Sequence, residues 1–193
     1  MTDLLDSNAL IYLLDPRTPP RLKDRLEGLL QEVEKARGQV IIPTSVVTEY
    51  LSGAGPAGLP IFERLSASRA VQIAAFDYIA SIECAAMQAF ANDAGDKRYP
   101  LGREALWQKV KIDRQIVAIA KTRAARIVSD DDDIYKLAKA ASIECVRVME
   151  LPLPDWAQQL QIAGLQPIGL APWSAPTLPL GSQAKLPPPA GSW

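Results

Sequence analysis

The chain contains no histidine, and this absence excludes more chemistry than any other feature of its composition. Ser-His-Asp and Cys-His nucleophiles, imidazole general bases and His-ligated zinc are all closed to the chain acting alone. Catalysis would have to run on carboxylates, hydroxyls, Lys, Arg, Cys, or a metal held by oxygen. Cysteine is scarce too. Cys84 and Cys145 stand in apolar surroundings without CxxC spacing, so neither a disulfide framework nor a thiolate zinc site is expected, and a reducing cytoplasm fits such a chain. Long apolar runs are missing: the stretch from Ala70 to Phe76 falls far short of the roughly 18 residues that span a bilayer. The opening MTDLLDSN has acid where a secretory leader carries base, so export is not expected. What is present, 48% hydrophobic residues over 193 positions, is enough to build the core of one domain.

Composition changes after Leu151. Residues 152–193 hold prolines at 152, 154, 167, 172, 176, 179, 187, 188 and 189, and only two charges, Asp155 and Lys185. Proline at that density forbids long helices and central strands. Residues 1–151 are therefore expected to form the domain, and 152–193 a proline-rich, largely irregular tail with a short turn from Asp155 to Ala163. Trp156 and Trp173 are candidate anchors for laying part of that tail against the domain or a second subunit.

Within residues 1–151, short apolar runs alternate with longer amphipathic ones. The short runs are Asp3 to Asp6, Val40 to Ile42, Ala70 to Ala75, Arg126 to Ser129 and Glu144 to Met149. Helical patterns lie between them, as from Arg103 to Thr122, where Ile112, Ile116 and Ile119 recur at helical steps. This alternation predicts an α/β fold with a central parallel sheet covered on both faces.

Four acidic features fall just after an apolar run or early in a helix, the edge at which open parallel sheets bind ligands. They are Asp6 in Asp6-Ser7-Asn8, Glu49 in Thr48-Glu49-Tyr50, Asp113 before Ile116-Val117-Ala118, and the run Asp130-Asp131-Asp132-Asp133. Each has a plainer role open to it. Asp6 would cap the following helix, Asp113 would suit a helix start, Glu49 would face solvent, and an aspartate run would be a solvated loop or a helix start. Taken together, convergent carboxylates repel unless a proton or cation intervenes, and oxygen-only sites favour magnesium or manganese.

In order and spacing these motifs resemble the PIN-domain nucleases, and within them the VapC-like toxins of toxin-antitoxin modules. The resemblance spans roughly residues 3–149. It rests on the strand followed by Asp6-Ser7-Asn8, on Thr48-Glu49-Tyr50 with Gly53, on Asp113 to Ala120, and on Ser129 to Ile134. It implies a three-layer α/β/α sandwich and a divalent-metal-dependent endoribonuclease, with Asp6, Glu49, Asp113 and Asp131 as catalytic acids. Mg2+ or Mn2+ would be held by Asp6, Asp113, Asp131 and Asp133, and water activated by the metal would attack an RNA phosphodiester. Ser7 and Ser129 are candidates to orient the acids through hydrogen bonds. A small cognate antitoxin and a homodimer are the partners the resemblance suggests. The chain departs from the family pattern in having Ala124-Ala125 where a glycine is usual, Ile134 where an aromatic is usual, a longer stretch from Asp96 to Val110, and the tail.

Overall charge, 21 basic against 22 acidic residues, gives no sign of nucleic acid, but local charge does. From Lys97 to Arg126 nine basic residues face two acids, Glu104 and Asp113, a balance of +7. Lys109, Lys111 and Arg114 within it are candidate RNA-backbone contacts. A haloacid-dehalogenase-like phosphatase would need a second aspartate where Asn8 stands. A receiver domain would need a lysine after the last strand, where the chain runs instead to Leu151 and proline. The remaining rival is a PIN-like module that binds RNA or protein without turnover.

Overall fold

The computed structural model describes residues 1–162. In chain order the strands are β1 (Thr2–Leu5), β2 (Gln39–Pro43), β3 (Val71–Ala74), β4 (Arg126–Val128) and β5 (Cys145–Val146). The helices are α1 (Ser7–Leu14), α2 (Pro20–Lys35), α3 (Thr44–Ala54), α4 (Gly58–Ser66), α5 (Tyr78–Asp93), α6 (Trp107–Thr122), α7 (Asp132–Ala140) and α8 (Asp155–Ile162). Short 3-10 turns cover Gly55–Ala57 and Val148–Glu150.

The five strands form one parallel sheet in the order β3-β2-β1-β4-β5. The central strands are short and apolar: Leu4, Leu5, Val40, Ile41, Ile42, Ile127 and Val128 are all essentially unexposed, as a sheet covered on both faces requires. Helices α1 to α4 pack in one connected group and α5 to α7 in another. Right-handed crossovers leaving β1 toward β2 and β3, then returning to β4 and β5, put the two groups on opposite faces. The result is the expected α/β/α sandwich.

That strand order also fixes a place for chemistry. The chain leaves β1 in one direction and later returns to its other side, so β1 and β4 flank the point where the winding reverses. Ligand crevices open there, beyond the carboxyl ends of the strands. Leu5 pairs with Val128, so the residues that follow, Asp6 and Ser129, emerge side by side.

Two boundaries differ from the sequence reading by more than two residues. Helix α6 starts at Trp107 rather than Arg103, because Gly102 takes a left-handed φ of +97° and closes a turn with Ala105, and Leu106 is extended. Strand β5 has two residues, since the Asp130 carboxylate captures the Val148 N–H at 2.9 Å and the chain turns away. The first tail residues dock on α2. Pro154 fills the space over Gly28, Trp156 Nε1 donates to Gln31 Oε1 at 3.2 Å, and Ala157 is buried. Residues 155–162 form a helix there, where a short turn was expected. Trp173 and the rest of the tail reading lie outside the described residues.

Candidate active site

Asp6 stands at the N-cap position of α1, yet its side chain makes no capping hydrogen bond. Instead Asp6 Oδ2 accepts from Ser129 Oγ at 2.8 Å, across the β1/β4 reversal point. The carboxylate is 5% exposed, so its desolvation is met by a neighbour from another strand rather than by its own helix. Ser129, fully buried, also accepts the Asp131 N–H at 3.0 Å, which ties the two acids through one hydroxyl. Ser7 Oγ donates to Glu49 Oε2 at 2.6 Å and joins the start of α1 to α3.

The other acids gather around one lysine. Asp113, buried on the second turn of α6, lies one helical turn after Lys109. The Lys109 ammonium is 2.9 Å from Asp113 Oδ2, 3.0 Å from Asp131 Oδ2 and 2.7 Å from Asp133 Oδ2. Asp131 also caps α7 by accepting the Asp133 N–H at 2.7 Å, so both its plainer role and its convergence on the site are realised.

Burial sets the electrostatics. Desolvation raises the Asp6 carboxyl above its usual range, and the nearby charges of Asp131 and Glu49 add to this, while the bonds from Ser129 and the Ser7 backbone pull it back. Burial likewise pushes Asp113 up to about 6, because Lys109 is shared among three acids and offsets only part of the cost. At Asp131 burial acts the same way but loses to Lys109 and the Asp133 backbone N–H, which hold it below the usual range. Lys109, facing three carboxylates, is raised despite its own desolvation. Its ammonium marks where the site stabilises positive charge. The donors are all oxygen, which suits Mg2+ or Mn2+. Among the described residues, however, no three acids stand close enough together to hold one metal ion in this arrangement.

The basic residues divide. Lys109 faces the acids. Arg114 requires a correction: it is 2% exposed and donates to Gln88 Oε1 and to the Tyr99 carbonyl, so it braces the long stretch before α6 and is not available to a phosphate backbone. Lys111 is exposed, with its ammonium 5.9 Å from the Trp107 ring centroid, and Lys97 lies 5.0 Å from the same ring.

Three supporting residues had been given no role at the site from the sequence. Asn8 Oδ1 accepts the Asp130 N–H at 3.1 Å, Asp130 anchors Val148, and Arg147 bonds the Asp130 carbonyl and the Asp132 carboxylate. The one available signal was Asn8 immediately after Asp6-Ser7. A broad depression of about 730 Å³ lies at the opposite edge of the sheet, where Asp3 and Arg126 line it.

The model of the family described as the PIN domain matches residues 4–140. No curated protein matches the chain. Among solved structures, the chain is similar to VapBC-1 from nontypeable Haemophilus influenzae, with TM-score 0.55, 16% identity, and 78% of this chain and 100% of that one covered. It is similar to VapBC2 from Rickettsia felis, bound in that structure to a promoter DNA fragment, with TM-score 0.54, 13% identity, and 76% and 98% covered. It is also similar to FitAcB from Neisseria gonorrhoeae, with TM-score 0.53, 18% identity, and 77% and 99% covered. At these identities the likeness is one of fold. The family match spans most of the chain and runs from the second half of β1 to the end of α7, including Asp6, Glu49, Asp113, Asp131 and Asp133: the chain belongs to the PIN-domain family.

Proposed function

We propose that the chain is a divalent-metal-dependent endoribonuclease acting in the cytoplasm, the toxin member of a toxin-antitoxin pair whose partner is a small cognate antitoxin. The observation that carries this reading is Asp6, a buried carboxylate at a helix start that forgoes capping and is held by Ser129 toward the other acids. Structural aspartates at that position ordinarily cap. Asp6, Asp113, Asp131 and Asp133 would hold Mg2+ or Mn2+, with Glu49 fixed alongside by Ser7. The bound cation would supply a Lewis acid that stabilises anionic oxygen and makes water acidic. Ser129 keeps Asp6 and Asp131 in fixed relation, and α6 presents Asp113 from a buried turn, so the protein's part is orientation of negative charge. Exposed Lys111 and Lys97 would meet the RNA backbone. The similarity of fold to VapBC proteins supports the antitoxin contact, and a homodimer is the assembly that the family resemblance implies.

One observation favours the other reading, a PIN-like module that binds without turnover: Lys109 stands among three of the acids. Incubating mixed RNA with purified protein and Mg2+ or Mn2+ separates the two. Cleavage that chelator stops supports the nuclease, and RNA retention without cleavage supports the binding module.

A further inference from the structure

We propose that Lys109 is the resident cation of this site: it holds Asp113, Asp131 and Asp133 together when no divalent ion is bound, and it sets the affinity of that ion by competing for the same oxygens. The proposal rests on the metal-site reading above and concerns what this chain adds to it.

The geometry is specific. One ammonium has three donors, and here each meets a carboxylate oxygen from a different position, at 2.7 to 3.0 Å. Asp113 comes from α6, the lysine's own helix, Asp131 from the N-cap of α7 and Asp133 from its first turn, so the lysine ties α6 to the start of α7 beyond β4. Its own helix spacing, four residues before Asp113, fixes the base of the side chain, while its side chain keeps 38% exposure. It therefore has a route out to solvent. A divalent ion needs oxygens at about 2.1 Å, closer than those of the ammonium, and two cations sharing three oxygens repel. Ion entry then requires Lys109 to withdraw. As they stand, the three oxygens are spaced for an ammonium, at 2.7 to 3.0 Å from its nitrogen. Lys109 is a positioning residue in this account, since it acts through the carboxylates.

The test is Mn2+ titration by calorimetry into wild type, K109M and K109R. Removing the charge at similar length should tighten Mn2+ binding roughly tenfold, equivalent to about 1.4 kcal/mol, while K109R should stay near wild type. Without metal, K109M should melt lower than wild type, and saturating Mn2+ should close that gap. Measurable Mn2+ binding with the same or weaker affinity in K109M overturns the role of Lys109 and leaves the metal site standing. No Mn2+ binding by wild type or K109M overturns both. A measurement on wild type alone guards against a variant that folds poorly. Lys109 should react slowly with an amine-acetylating reagent, read by peptide mass spectrometry, and several-fold faster at saturating Mg2+. Labelling that Mg2+ leaves unchanged contradicts competition.

Discussion

Asp113 shows how one buried acid makes stability and proposed activity run in opposite directions with pH. Its carboxyl sits at about 6, against 3.8 for an unperturbed aspartate. The folded chain binds this proton more tightly than the unfolded chain does. The stabilising contribution is therefore complete below about pH 4 and is lost as pH rises through about 6, a change of about 3 kcal/mol at ~1.4 kcal/mol per unit. Asp113→Asn should remove that dependence: relative to wild type, the metal-free variant should gain stability at pH 7 compared with pH 4.5, checked by denaturant melts at both. An unchanged difference between the two proteins would mean that Asp113 is not penalised by burial. Ion binding needs the deprotonated form, so cleavage should fall as pH drops below about 6. Which residues did this was only partly legible. Asp6 is an acid before a helix, and a cap and a ligand use the same residue type in the same place. Only the missing cap bond and the presence of Ser129, 123 residues away in sequence, separate the two roles. The Lys109–Asp113 pair follows from i,i+4 spacing, but Asp131 and Asp133 reach Lys109 from another strand end. The burial of Arg114 was legible in principle, since it shares a helix face with Val110 and Val117.

At the scale of elements, three helices end with a non-glycine residue in the left-handed region: Arg37 (φ 53°), Ala124 (φ 48°) and Ser142 (φ 58°). In each, the next N–H reaches back to the last turn, as Ala125 does to the Ala120 carbonyl at 2.9 Å. The family pattern places a glycine near Ala124, and the backbone shows why: a Cβ there costs about 1 kcal/mol. Ala124 is exposed, so no packing is lost by trimming it. Ala124→Gly should raise stability by about 0.5 to 1 kcal/mol once the entropy of glycine is set against the relieved strain. The denaturant midpoint should move up with an unchanged slope, and a fall in midpoint would contradict the strain. Strand and helix identities were readable from periodicity throughout residues 1–151. The ends that moved, at the starts of α6 and of the turn after β5, were set by Gly102 and by Asp130, whose effects depend on tertiary partners.

For the whole molecule, the apolar alternation carried the sandwich and the strand order carried the site, because both follow from burying short strands on two faces. The tail did not follow from composition alone. Proline density led to the expectation of a boundary after Leu151, but the docking of Pro154 on Gly28 and of Trp156 on Gln31 depends on a bare patch of α2 that glycine leaves. Truncation after Leu151 should therefore lower stability by about 1 to 3 kcal/mol, the scale of burying one or two apolar side chains, while leaving the acids and any basal cleavage in place. Identical melting of the full and shortened chains would show the contact to be without energetic weight.

Whether Asp6 and its neighbours form a metal-dependent nuclease site is decided by the cleavage of mixed RNA by purified wild type and Asp6→Asn, with Mg2+ or Mn2+ and with chelator. Wild type should cleave only with the ion, and Asp6→Asn should lose roughly 100-fold or more while still melting cooperatively, because ligand charge is removed without volume. Cleavage by Asp6→Asn at the wild-type rate, or wild-type cleavage that persists in chelator, would contradict the account.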